Sequence, residues 1–149
     1  MPCIIHFYGD EANVTELLKL CPIEPCNSYR KGEARSNRPN AHQSKTSGVG
    51  LVASDADFDF FGLQKSQALA FIRLHMSKLQ EMRAVSGVEV ASIDFGISMR
   101  NVIVQTDYFE SELLIELAAL RIRLALSQYP IAGKDKRIKQ YRRVLRKSR

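Results

Sequence analysis

Three carboxylates alternate with apolar residues in Asp55-Ala56-Asp57-Phe58-Asp59, a spacing that offers oxygen ligands to a hard divalent cation. An EF-hand loop opening at Asp55 would need glycine at its sixth position and glutamate at its twelfth, where this chain has Phe60 and Ser66. The alternation instead fits an extended segment with one wet and one buried face, ending with Asp59 near a helix start. Cys3, Cys21 and Cys26 with His6 make up four soft ligands of the kind zinc takes. Prolines stand between Cys21 and Cys26, however, and no second close pair exists. Cys3 shares a strand face with Ile5 and Phe7, which makes it a small core residue. No metal and no cofactor are expected.

The remaining chemical candidates fail on context. His42 lies in a polar stretch with no carboxylate or nucleophile beside it, and His75 borders the apolar stripe of a long helix. Gly48-Val49-Gly50-Leu51-Val52-Ala53 fits a relaxed dinucleotide fingerprint, but that fingerprint needs a helix opening on the glycines, and here they lead into a strand. There is no Gly-x-Ser-x-Gly elbow and no phosphate loop. Tyr29-Arg30-Lys31-Gly32-Glu33 could hold an anion through Arg30 and Lys31, although a charged turn at a sheet edge explains the same residues. No catalytic residue is assigned, and a non-enzymatic protein is expected.

Charge supplies the strongest lead. The chain of 149 residues carries a net +6, but residues 133–149 hold nine bases against Asp135 alone, a net +8. Residues 1–132 hold thirteen bases against fifteen acids, a net −2, so a mildly acidic domain carries a basic C-terminal extension. Within the extension, Ile138, Tyr141 and Leu145 share one helical face and cations cover the rest. Lys134, Lys136, Arg137, Lys139, Arg142, Arg143, Arg146 and Lys147 are the candidate contacts to a phosphate backbone, binding by counterion release in a salt-dependent, largely sequence-independent way.

The elements that must position these residues follow from periodicity. Residues 3–8 read as a strand stopped by Gly9-Asp10, and Val14, Leu17, Leu18 and Cys21 as a short helix ended by Pro22 and Pro25. Residues 27–33 form a brief strand, 34–46 a mobile polar loop, and 48–54 a further strand. Ala68, Leu69, Ile72, Met76, Leu79 and Met82 recur at helical spacing, so 63–85 is one amphipathic helix closed by Ser86-Gly87. Residues 88–95 and 101–105 read as two strands, paired as a hairpin around 96–100. A helix opens at Ser111 and ends near Leu120. The alternation in 121–129 then predicts a strand with Ile122, Leu124 and Leu126 facing the core; one helix through Gln128 is the alternative. Residues 4–18 also resemble 102–114, a faint repeat of a strand-loop-helix unit.

Together these predict an α+β fold: a largely antiparallel sheet with helices packed on one face, two strand-loop-helix units, and a basic C-terminal helix or tail. Residues 1–132 form one domain, and a chain that is 45% hydrophobic has enough apolar content for a full core. The short helix into Pro22-Ile23-Glu24-Pro25, the Tyr29-Arg30-Lys31-Gly32-Glu33 segment and the closing Ser-Glu-Leu-Leu helix resemble a bacterial domain family of unknown function. That family shows a leucine-rich turn into proline, then an aromatic followed by basic residues, glycine and an acid. This chain departs from it in having no tryptophan, which members often place just beyond that segment. Some members resemble small interaction or immunity proteins, so the resemblance implies a protein partner and supplies no catalytic residues. Three cysteines and an N-terminus without a basic leader give cytoplasmic localisation as the expectation.

Overall fold

The computed structural model describes residues 3–34, 42–100 and 102–130. Strand β1 (Cys3–Gly9) alternates buried and half-buried residues along its whole length, the mark of a strand with one face in the core. Helix α1 (Val14–Leu20) follows, with the Asn13 side chain accepting the Glu16 N–H at its N-cap. Strands β2 (Asn27–Tyr29) and β3 (Ser47–Ser54) come next, then helix α2 (Phe61–Arg83) and strand β4 (Val90–Ser98). Helix α3 (Ser111–Ala119) and strand β5 (Arg123–Tyr129) complete the described chain.

The five strands form one sheet in the order β2-β3-β1-β4-β5. Every pairing is antiparallel except β4 with β5, which run parallel because α3 crosses between them. The fold is therefore α+β. Ile5, Phe7, Val49, Leu51, Ile93 and Phe95 project from one sheet face into a single apolar cluster. Leu17 of α1, Ile72, Leu79 and Met82 of α2, and Leu113 and Leu117 of α3 close over them. The expected stripe of the long helix is thus the buried one, although α2 departs from helical geometry at His75, whose ring packs 4.6 Å from Phe71.

Two expectations are corrected. Residues 102–105 are not a strand, and no hairpin forms around 96–100. Both flanks of β4 are already taken, by β1 on one side and β5 on the other, so a returning strand has no edge to join. The stretch is instead a loop organised by Arg100, which donates to the Thr106 carbonyl at 2.9 Å and to Asp107 at 2.8 Å. The second strand-loop-helix unit is accordingly β4, this loop and α3, and the resemblance of 102–114 to 4–18 is confined to the helix starts. The other correction concerns β5. Ile122 is buried, whereas Leu124 and Leu126 lie on the helix side of the sheet but stay 40% and 37% exposed, because no described helix extends over them.

The junction between α3 and β5 explains how a helix stops without glycine. Arg121 adopts φ 52°, its N–H donates to the Ala118 carbonyl, and the Ile122 N–H reaches back to Leu117. This is a Schellman cap with arginine in the left-handed position, sealed by the buried pair Leu117 and Ile122. The 34–46 segment is pinned at its ends by an Ala34–Gln43 bridge, and residues 35–41 lie outside the described residues.

Candidate interaction surface: the open face of the sheet

Alternation along each strand decides which side chains look away from the core. In β1 these are Ile4, His6 and Tyr8, in β4 Ser92, Asp94 and Ser98, and in β5 Arg123, Ala125, Ser127 and Tyr129. Among the described residues no helix lies on this face, since α1, α2 and α3 all pack into the one cluster on the other side. The face is therefore a broad polar and aromatic surface across five strands.

Its most structured part lies over β1, β2 and β3. Gly48 and Gly50 stand opposite Tyr8 and His6 and carry no side chain, so Tyr29 and Asn27 of β2 fold across them. A Cβ at Gly48 would sit 2.5 Å from the Phe7 carbonyl oxygen, a backbone atom with no room to yield. The result is a shallow cavity of about 370 Å³ lined by His6, Asn27, Tyr29, Glu33, Ala34 and Ser44. The Ser44 hydroxyl is buried there without a hydrogen-bond partner. Burial holds the His6 imidazole below its ordinary range, while the Asp94 carboxylate works in the opposite direction. Asp94 in turn accepts the Ser127 hydroxyl at 2.8 and 2.9 Å. The serine is thus hydrogen-bonded to the acid and not to the histidine, which is not the order that activates a nucleophile.

The segment Tyr29-Arg30-Lys31-Gly32-Glu33 is a charged turn at the β2 edge. Gly32 has φ +86°, the Glu33 N–H donates to the Arg30 carbonyl at 3.0 Å, and the Glu33 carboxylate accepts the Arg30 N–H at 2.7 Å. Lys31 bonds Asp10 at 2.9 Å and approaches Glu11 at 3.7 Å, so its charge is engaged within the chain.

The other sequence candidates disperse. Cys3 and His6 lie on opposite faces of β1, and burial foremost pushes the Cys3 thiol far up. Cys26 donates to the Gly50 carbonyl. Asp55, Asp57 and Asp59 are exposed, and the Asp57 carboxylate accepts the Phe58 N–H. Among the described residues, no three His, Cys, Asp or Glu side chains converge on a point that could hold a metal ion. His42 is exposed. The eight cations from Lys134 to Lys147 lie outside the described residues.

Four polar residues escaped the sequence reading. Gln64 is fully buried in α2 and donates to the Gly96 and Asp57 carbonyls, tying the helix to β4. Lys65 donates to the Tyr108 carbonyl and to Glu110 at 2.6 Å, fixing the loop before α3, and this bond holds the Glu110 carboxyl below its usual range. Asp94 and Ser127 were legible in principle, because Ser92, Asp94 and Ser98 mark the wet side of β4 by alternation. Comparison with family models, with curated proteins and with solved structures finds no match.

Proposed function

We propose that this chain is a non-enzymatic interaction module that binds a protein partner through the open face of its sheet. One observation carries the reading: all described helices pack on one side, leaving the other to residues such as Tyr8, His6, Asn27 and Arg123. Aromatic and arginine side chains of this kind anchor protein interfaces. The shallow cavity beside His6 suits a protruding side chain of the partner better than a sequestered small substrate. The resemblance to a bacterial family with immunity-like members and the mildly acidic body support a cytoplasmic protein partner. No described helix is long and apolar enough to cross a membrane, in keeping with that reading.

The test is affinity purification from the native host with the wild type, with an Asn27→Arg/His6→Glu variant, and with a Lys78→Glu variant altered on the exposed side of α2. A partner retained by wild type and Lys78→Glu but lost with the open-face variant is the expected result. Equal recovery with all three would remove the open face from consideration.

A second reading rests on the segregated charge of residues 133–149, whose net +8 favours a phosphate backbone. Fluorescence anisotropy of labelled RNA and DNA against full-length chain and a 1–132 truncation, across a salt series, tests it. Tail-dependent binding with a log-log slope of about −0.9 per phosphate contacted is expected for double-stranded DNA. Binding retained by the truncation refutes it.

A further inference from the structure

We propose that the outer edge of β5 pairs antiparallel with β5 of a second copy, about a two-fold axis through Ala125. The inference rests on this edge and not on the partner reading above. Among the described residues no strand pairs with that edge, so β5 ends the sheet. The Met99 N–H donates to the Tyr129 carbonyl, which fixes the ladder to β4. By alternation, the backbone groups of Leu124, Leu126 and Gln128 then point outward, unspent on β4. A row of free donors and acceptors is a template for another strand. Proteins usually blunt such edges with lysine, proline or a bulge, and 123–129 contains none of these.

The order of residues along β5 identifies the occupant. Centred on Ala125, antiparallel self-pairing sets Leu124 opposite Leu126 of the second copy, and Leu126 opposite its Leu124. Four leucines then meet on the helix side of the joined sheet, where each is now about two-fifths exposed. Helix α3 adds to this patch. Glu116 is tied to Arg73 of α2, and Leu113 and Leu117 are buried, so Leu114 and Ala118 fall on the flank turned away from α2. Leu114 is 44% exposed.

The opposite side of the sheet matches in charge. The same register sets Arg123 against Ser127 of the second copy, whose hydroxyl is bonded to the Asp94 carboxylate. Symmetry repeats the pairing, so each copy offers one guanidinium and receives one. Because the strands run in opposite directions, the two Pro130 residues lie at opposite ends of the interface. These two residues are thereby separated by roughly 30 Å at 3.3 Å per residue.

Sedimentation of the full chain at concentrations up to about 0.1 mM, with four variants, tests this. Wild type is expected to sediment as a dimer, and L124K and L126E each as a monomer with unchanged circular dichroism. The L124K/L126E double variant is expected to recover the dimer, because each introduced lysine faces an introduced glutamate. An A125C chain is expected to give a disulfide-linked dimer on oxidation, mapped to that position by mass spectrometry. A wild type that stays monomeric overturns the proposal, whether another protein or the chain's own C-terminal segment covers the edge. So does a dimer that survives both single substitutions. Partner recovery through the open face is read in the separate purification, so either result can fail alone.

Discussion

The two edges of the sheet are built on opposite plans. At one end β2 has three residues and runs directly into a charged turn where Lys31 pairs with Asp10 and Glu33 folds back on Arg30. At the other, β5 has seven residues, two partly exposed leucines on the helix side of the sheet and no gatekeeping charge between Arg123 and Tyr129. The first plan discourages pairing by shortness and charge. The second leaves a long template open among the described residues, and the self-pairing proposed for β5 rests on that difference.

The largest expected effect comes from breaking the support of β5. Leu117 is buried and forms the apolar half of the cap at the α3 terminus, so Leu117→Ala should cost about 2–5 kcal/mol in urea unfolding. Amide exchange in β5 should rise before that in β1 if the loss begins at this edge. Next is the protected edge. Gly32→Val forces a β-branched residue into φ +86° and should cost on the order of 1–2 kcal/mol. Unchanged stability would show that the charged turn does not hold β2.

Arg121→Gly should move the other way. Relief of a left-handed non-glycine residue at φ 52° is expected to stabilise by about 0.5–1 kcal/mol, seen as a raised melting temperature. The smallest effect lies between the edges, at His6. Burial lowers its folded-state pKa, so both states are neutral above the unfolded value near 6.5. As pH falls below that value the unfolded state takes up the proton first, and stability declines until the folded-state pKa is passed. His6→Gln should flatten this decline as pH falls below about 6.5.

How much of this the residues disclose depends on whether the signal is local. The apolar, β-prone run 3–8, the alternation in 121–129 and the 3.6-residue period from Ala68 to Met82 are local, and each yields the element observed. The end of α3 was visible only as a change of period, because its cap uses Arg121 where glycine would have announced it. The strand expected at 101–105, with its hairpin around 96–100, failed for a non-local reason. Val102, Ile103 and Val104 have strand propensity, but whether an edge is vacant beside β4 is settled by α3 and β5, further along the chain. Likewise, the sequence puts Leu124 and Leu126 on the right side of the sheet but does not disclose that no described helix covers them. The open face was implicit in the polar positions of β1 and β4. Its cavity was not, since it depends on Asn27 and Tyr29 crossing a neighbouring strand's glycines.

The placement of β1 at the centre of the sheet has a consequence for how the chain acquires its structure. Phe7 must find Val49 on one side and Ala91 on the other, so the middle of the fold is its least local part. Synthesis delivers β1 well before either neighbour, leaving its backbone groups to water until β3 and then β4 arrive. The rate of assembly should therefore be governed by closing these two long loops, with α2 as the early helical surface on which they close, and should respond weakly to substitutions in β5. A chain held short of β4 has a half-built sheet with β1 as its exposed edge, and this is the stage at which aggregation competes with folding.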